Sequence, residues 1–233
     1  MSRTKTKREA NPSLAVIVDG EDEKWYLNKV KLYYQEQCPI IQRMRIKPDL
    51  PQKKKIDDLF NNAKNKFEEG YTDVVIIIDF DDPLHKQDEM DRFIYWYNLY
   101  LSAKNNSLTK RQKGLYGWMS KLLVVINSPC LEYWYLLHRK KTKKFYNSYD
   151  QLKKDLIKLD GFSDYDKNED YYNKVPDIFI RLGGVDGLAV ARTNSHSFDI
   201  GQCSSEGGSE MNQLFDMIDR FQQLENEQRN NTI

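Results

Sequence analysis

Two apolar segments of this chain each run directly into a cluster of carboxylates: Leu14-Ala-Val-Ile-Val-Asp19-Gly20-Glu21-Asp22-Glu23 and Asp73-Val-Val-Ile-Ile-Ile-Asp79-Phe80-Asp81-Asp82. A continuous β-branched run such as Val74 to Ile78 fits a strand covered on both faces, which is the situation in a parallel sheet. Parallel neighbours need crossover helices, so the pattern demands helices on both sides of the sheet. Ligands in such sheets bind in the crevice outside the carboxyl ends of the strands. Two acidic strand ends are therefore expected to converge there.

The rest of the chain follows the same alternation. After Val18 the backbone turns at Gly20, which tolerates positive φ and clears space beside an ion. Trp25, Leu27, Val30, Leu32 and Tyr33 then recur at near-helical spacing. A second strand is expected near Arg43 to Ile46, closed by Pro48, and an amphipathic helix over Ile56, Leu59, Phe60, Ala63 and Phe67, stopped near Gly70. Asp73 to Asp79 and Leu122 to Ile126 supply the third and fourth strands, with an aromatic helix through Met90, Phe93, Trp96 and Tyr100 between them. Pro129 suits the first turn of a helix carrying Leu131, Trp134, Tyr135 and His138. From Tyr149 the pattern is helical, with Leu152, Leu156 and Leu159, then Tyr171 to Leu182. Ala191 to Gly208 reads as a loop, and the final stripe Met211, Leu214, Phe215, Ile218 and Leu224 is opened by a Ser209 cap. The expected fold is α/β, a mostly parallel four-stranded sheet flanked by helices, with a C-terminal helical extension. The divisions are a flexible basic arm over 1–12, an α/β domain over 13–142 and an extension over 143–233 packed on it.

Composition narrows the class. With 39% hydrophobic residues in 233, the chain can bury a real core. Its longest apolar runs fall far short of the roughly 20 residues of a membrane span, so no membrane association is expected. The start MSRTKTKREANPS has no apolar stretch after its basic residues and does not read as a secretion signal. Cys38, Cys130 and Cys203 are odd in number and widely spaced, against both a disulfide framework and a zinc site, which points to the cytoplasm. The 36 basic and 35 acidic residues nearly cancel, so the whole molecule is not a polycation. Locally, Lys53-Lys54-Lys55 and Arg139-Lys140-Lys141-Thr142-Lys143-Lys144 are positive runs: a solvated face, or a track for a phosphate backbone.

Asp19 and Glu23 are four apart across the first turn, and Asp79 and Asp81 two apart at the other strand end. Hard cations such as Mg²⁺ or Mn²⁺ take oxygen ligands and keep several waters, so a few carboxylates suffice to hold one. Glu132 either supplies a further ligand from the same crevice or favours its own helix N-terminus. Asn127 can orient a ligand or simply make a turn; His138 is better suited to packing, and His85 is a weak proton-shuttle candidate. Aspartate also follows buried strands as an ordinary cap, and an isolated D-x-D is a weak motif.

Taken together, VDGEDEKWY (Val18 to Tyr26), IIIDFDD (Ile76 to Asp82), NSPCLEYWYLLH (Asn127 to His138) and the late Ser209-Glu210-Met211 resemble the RloB family. The first segment is similar to that family's V-E-G-E-T-E-K-W-Y and the third to its N-x-P-C-F-E-x-W-x-L-L-H. The resemblance implies a TOPRIM-like fold related to overcoming-lysogenization-defect nucleases. It also implies a metal-dependent nuclease acting on DNA or RNA as an anti-phage, abortive-infection effector beside an AAA-type ATPase. By position, Asp19, Glu23, Asp79 and Asp81 would be catalytic and surround Mg²⁺ or Mn²⁺, with Glu132 as a further ligand. Lys24, or the run of Arg139, Lys140, Lys141, Lys143 and Lys144, would neutralise substrate phosphates. One departure stands out: Asp19 occupies a position that is usually Glu, which retracts the carboxylate by about 1.5 Å, the length of a C–C bond. Two other readings stay open, a module that binds nucleic acid or a partner without cutting, and a phosphatase of the haloacid-dehalogenase type built on Asp79-Phe-Asp81. The latter leaves the Asp19 to Glu23 motif unexplained.

Overall fold

The computed structural model describes residues 13–37, 48–49 and 55–230. The expected basic arm, the strand expected at Arg43 to Ile46, Cys38, Lys53 and Lys54 lie outside these residues. The sheet is open and has the order β2-β1-β3-β4-β5, with β1 Leu14–Ile17, β2 Pro48–Asp49, β3 Asp73–Asp79, β4 Leu122–Ser128 and β5 Gly208–Ser209. The first four are parallel, as the β-branched runs predict; β5 is an unforeseen two-residue strand, antiparallel to β4.

Because side chains alternate across a strand, the sheet divides its residues between two cores. Leu14, Val16, Val18, Val75, Ile77 and Val125 face one layer, and Ala15, Ile17, Val74, Ile76, Ile78, Val124 and Ile126 the other. Helix α2, Ile56–Glu68, covers the second face, together with α4, Gln87–Lys104. The short α3, Asp81–His85, follows β3 immediately, and α5, Lys110–Tyr116, with a 3-10 turn leads into β4.

The first face is covered by α1, Glu21–Gln37, and by α6, Glu132–Leu137, whose six residues are all buried. On α1 the buried positions are Asp22, Glu23, Tyr26, Leu27, Val30 and Tyr34, whereas Leu32 is exposed. The inward stripe thus starts at the acidic residues of the first turn. Pro129 does not open α6: Ser128 is still in β4 and the helix begins three residues after the proline.

The extension completes this face with α7 Tyr149–Leu156, α8 Glu169–Asn173, α9 Ile178–Arg181, α10 Gly184–Asn194 and α11 Met211–Asn230. Tyr171 to Leu182 is two short helices, because Pro176 between them has no N–H for a continuous ladder. Helix α10 runs to Asn194, so the expected loop starts at Ser195, four residues later than Ala191. Extension residues such as Leu152, Phe162, Leu188 and Phe215 share one core with β1, β3 and β4. Trp134 joins the layers: its Nε1 donates to Tyr26 Oη at 2.8 Å and its ring stacks on Phe215 with centroids 5.8 Å apart.

Candidate metal centre

The chain leaves β1 toward β2 along one face and returns toward β3 along the other, so the crevice outside β1 and β3 is a topological switch point. Both acidic strand ends meet in it. Ligand oxygens of Asp22, Glu23 and Asp79 lie within 4.8 Å of one another. Asp22 and Glu23 come from the first turn of α1, where the helix N-terminus favours carboxylates. Asp79 is the last residue of β3. Glycine at position 20 makes this approach fit: a Cβ there would stand 2.5 Å from Glu23 Oε2 and 2.7 Å from Asp22 Oδ1.

The three acids are deeply placed, Glu23 at 1% and Asp22 and Asp79 at 9% exposure. Both Glu23 oxygens are buried without a hydrogen-bond donor. A bond between the Glu23 and Asp79 carboxyls exists only when one of them carries a proton. Burial, then the Asp22 charge, pushes the Glu23 pKa well above the carboxylate range, with Lys167 opposing and Asp19 adding to the rise. Burial and the Glu23 charge do the same to Asp79. Ionised together, these groups call for a cation.

One cation is built in. Lys167, from the loop before α8, places Nζ 2.9 Å from Asp22 Oδ2 and 3.3 Å from Glu132 Oε1, and 4.7 Å from the ring centroid of Tyr149. Burial works against its ammonium, but Glu132, Asp22 and Asp79 outweigh that and hold its pKa above the usual lysine value. Glu132 is fully buried; its Oε1 also accepts from Tyr165 Oη at 2.6 Å, while Oε2 has no donor. Burial raises the Glu132 pKa against the pull of Lys167.

A row of side chains crosses the sheet at the same height. Asp79 pairs with Asn127, and Asn127 with Ser209, in the β3–β4–β5 register. Asn127 Nδ2 donates to Asp79 Oδ1 at 3.4 Å, and Ser209 Oγ donates to Asn127 Oδ1 at 2.6 Å. Ser209 Oγ also accepts from the Met211 amide at 3.3 Å, so it does help to cap α11.

The structure brings Glu23 and Asp79 together, and Lys167 joins Glu132 to Asp22, the third acid of the cluster. Asp19 is half-buried at the β1 end, near enough for its charge to act on Glu23, but it is not one of the three clustered acids. Asp81 is also outside the trio, and its Oδ1 accepts from the Asp82 amide at 2.7 Å at the start of α3. Among the basic candidates, Lys24 pairs with Glu21 at 3.3 Å, Lys143 with Glu206 at 2.9 Å and Lys144 with Asp155 at 2.6 Å. Arg139 is used internally, donating to the carbonyls of Leu182 at 3.0 Å and Arg181 at 2.6 Å. Lys140 is half-buried and Lys141 exposed.

His138 is a packing residue: its ring meets Trp134 edge-on, and burial lowers its pKa to about 3, so it stays neutral. His85 is exposed, with Nε2 2.6 Å from the Asn147 carbonyl. Cys130 and Cys203 are free thiols, and no helix among the described residues is long and apolar enough to cross a membrane. Sequence reasoning missed Asp22, although it lies inside the first motif, and Lys167 and Tyr165, for which the sequence carries no local signal.

The donor set suits a hard divalent ion: three carboxylates, one of them with two buried oxygens lacking any donor, and no sulfur or imidazole ligand among them. Compared with the curated proteins and with solved structures, the chain finds no match. One family model, RloB-like protein, matches residues 14–220, from the first residue of β1 into α11. The match spans the sheet, the acidic cluster and most of the extension, and the chain belongs to the RloB-like protein family.

Proposed function

We propose that this protein is a metal-dependent nuclease of TOPRIM type, hydrolysing phosphodiesters in DNA or RNA with Mg²⁺ or Mn²⁺ held by Asp22, Glu23 and Asp79. The observation that carries the reading is Glu23: a carboxylate at 1% exposure with two donor-less oxygens, within reach of two more acids at a switch point. Held by Asp22, Glu23 and Asp79, a divalent ion would supply Lewis-acid stabilisation of a phosphoryl oxygen and acidify water. The chain's own residues prepare the place. Asn127 orients Asp79, Gly20 lets Glu23 and Asp22 approach, and Glu132 with Lys167 fixes the remaining Asp22 oxygen.

Asp19 and Asp81 stand beside the cluster and take roles as proton acceptors or ligands of a hydrated ion in this reading. Lys140 and Lys141 are the members of the basic run free to meet a phosphate backbone, since Arg139, Lys143 and Lys144 serve internal contacts. The motif resemblance supports an anti-phage effector in the cytoplasm, working beside an AAA-type ATPase. A second reading, a module that binds nucleic acid without cutting it, is favoured by the low exposure of all three acids, which leaves little room for a phosphate to reach them.

Purified protein incubated with Mn²⁺ and single- and double-stranded DNA and RNA separates the two. Cleavage of at least one substrate, lost in Glu23→Ala and Asp79→Ala, is the expected result. Cleavage that survives both changes would overturn the site, and Mn²⁺ binding with nucleic-acid retention but no cleavage would select the binding module.

A further inference from the structure

Four buried carboxylates adjoin in this crevice, Asp22, Glu23, Asp79 and Glu132, and a two-ion centre would need both halves of that set. The halves are not equivalent. Neither Glu23 nor Asp79 makes an ion pair among the described residues, and the Glu23 oxygens have no donor. Between Asp22 and Glu132 stands the Lys167 ammonium, in contact with an oxygen of each.

We infer that Lys167 occupies the place of a second metal ion, so that the centre takes a single divalent cation; this rests on the metal-site reading given above. An ammonium cannot ligate a metal, and this one is restrained on several sides. Asp22 and Glu132 hold its head, the Tyr149 ring lies under it at 4.7 Å, and Tyr165 fixes the Glu132 oxygen that it contacts. A second divalent ion would have to expel it from two carboxylates into water. Asp22 links the two positions, with Oδ2 on Lys167 and Oδ1 facing Gly20. Lys167 is therefore a positioning residue: it fixes the orientation of a metal-holding carboxylate and supplies the second positive charge without an exchangeable ion.

Mn²⁺ binding to the full chain tests this without any substrate. Calorimetry of the wild-type protein is expected to give one Mn²⁺ per chain, and electron paramagnetic resonance an isolated-ion spectrum. In Lys167→Met the uncoupled Asp22 and Glu132 carboxylates take up a second ion, giving two per chain and an exchange-coupled spectrum, while Lys167→Arg keeps one. Two ions or a coupled spectrum in the wild type would overturn the inference, whether or not the methionine variant folds. So would a single ion in Lys167→Met with wild-type circular dichroism. Absence of any Mn²⁺ binding in the wild type is the separate outcome that sinks the metal-site reading and, with it, this inference.

Discussion

Ser209 Oγ donates to Asn127 Oδ1 at 2.6 Å across the β4–β5 pairing and thereby decides which end of the Asn127 amide faces Asp79. With Oδ1 engaged, Nδ2 is turned to the Asp79 carboxylate. In Ser209→Ala the buried Asn127 Oδ1 and the Met211 amide both lose this hydroxyl, which should cost about 1–3 kcal/mol. Urea unfolding measures the loss, and Mn²⁺ affinity should fall with it because the Asn127 amide can rotate. An unchanged midpoint would mean that the serine does not set the amide.

The Gly20→Ala variant separates site from fold. The new methyl would meet the ends of the Glu23 and Asp22 side chains, which can swing away, so the stability loss should stay near 1 kcal/mol, the scale of a modest local adjustment. The carboxylates that swing away are the metal ligands. Calorimetry is expected to show Mn²⁺ binding weakened tenfold or more while the thermal unfolding curve barely shifts.

Asp79→Asn should stabilise the metal-free protein at pH 8. The Glu23 pKa is raised by burial and the Asp22 charge, and the Asp79 pKa by burial and the Glu23 charge. A group whose folded pKa lies above its unfolded one contributes stability below the unfolded value and loses it as pH rises through the folded value. The metal-free chain is therefore destabilised on the alkaline side, and removing one of the charges should raise its melting temperature there. Melting curves in a chelator check the gain. The same variant should lose the stabilisation that added Mn²⁺ gives to the wild type.

Glu210 gives a pH dependence with a defined window. Its oxygens accept from the amides of Ile126 at 3.2 Å and Phe198 at 3.4 Å, yet burial lifts its pKa to about 7. The sign is the same as above: its contribution is complete below about pH 4.5 and fades as pH passes about 7. Over that span the change is up to about 3 kcal/mol. The unfolding free energy of the wild type relative to Glu210→Gln, followed from pH 5 to pH 8, should fall as pH rises. A constant difference would show that Glu210 titrates normally.

The apolar runs that end at Asp19, Asp79 and Ile126 made β1, β3 and β4 legible, because a strand covered on both faces has little alternative to a β-branched sequence. Glu23 was legible from its spacing of four from Asp19 across the turn, and the structure places it at the head of the buried stripe that continues through Tyr26, Leu27, Val30 and Tyr34. Asp22 was not, since spacing four from Asp19 singled out its neighbour, and only the entry angle of α1 turns both acids inward. Strand β5 is two residues long and has no apolar pattern to announce it. Lys167 lies in a polar loop whose residues look like any solvated stretch until the fold sets it against Asp22 and Glu132. Within the basic run, Lys143 and Lys144 are matched by Glu206 and Asp155, partners that no local pattern in the sequence announces.

Trp134 tests whether the extension and the sheet domain are one cooperative unit. It is fully buried, bonds to Tyr26 of α1 and stacks on Phe215 of α11. Trp134→Ala should cost about 3–5 kcal/mol. Near-ultraviolet dichroism and tryptophan-independent probes such as amide exchange should report a single transition at lower denaturant. Two separated transitions would show that the two parts unfold independently.

The brevity of β5 has a bearing on how copies of this chain can meet. A long open strand edge is a template on which another backbone can be laid down, residue by residue. Here the edge beyond β4 is finished after Gly208 and Ser209, and α11 lies along the strand behind it. An approaching chain finds only two residues of β5 to pair with, too short a template for growth of the sheet into a ribbon on this side.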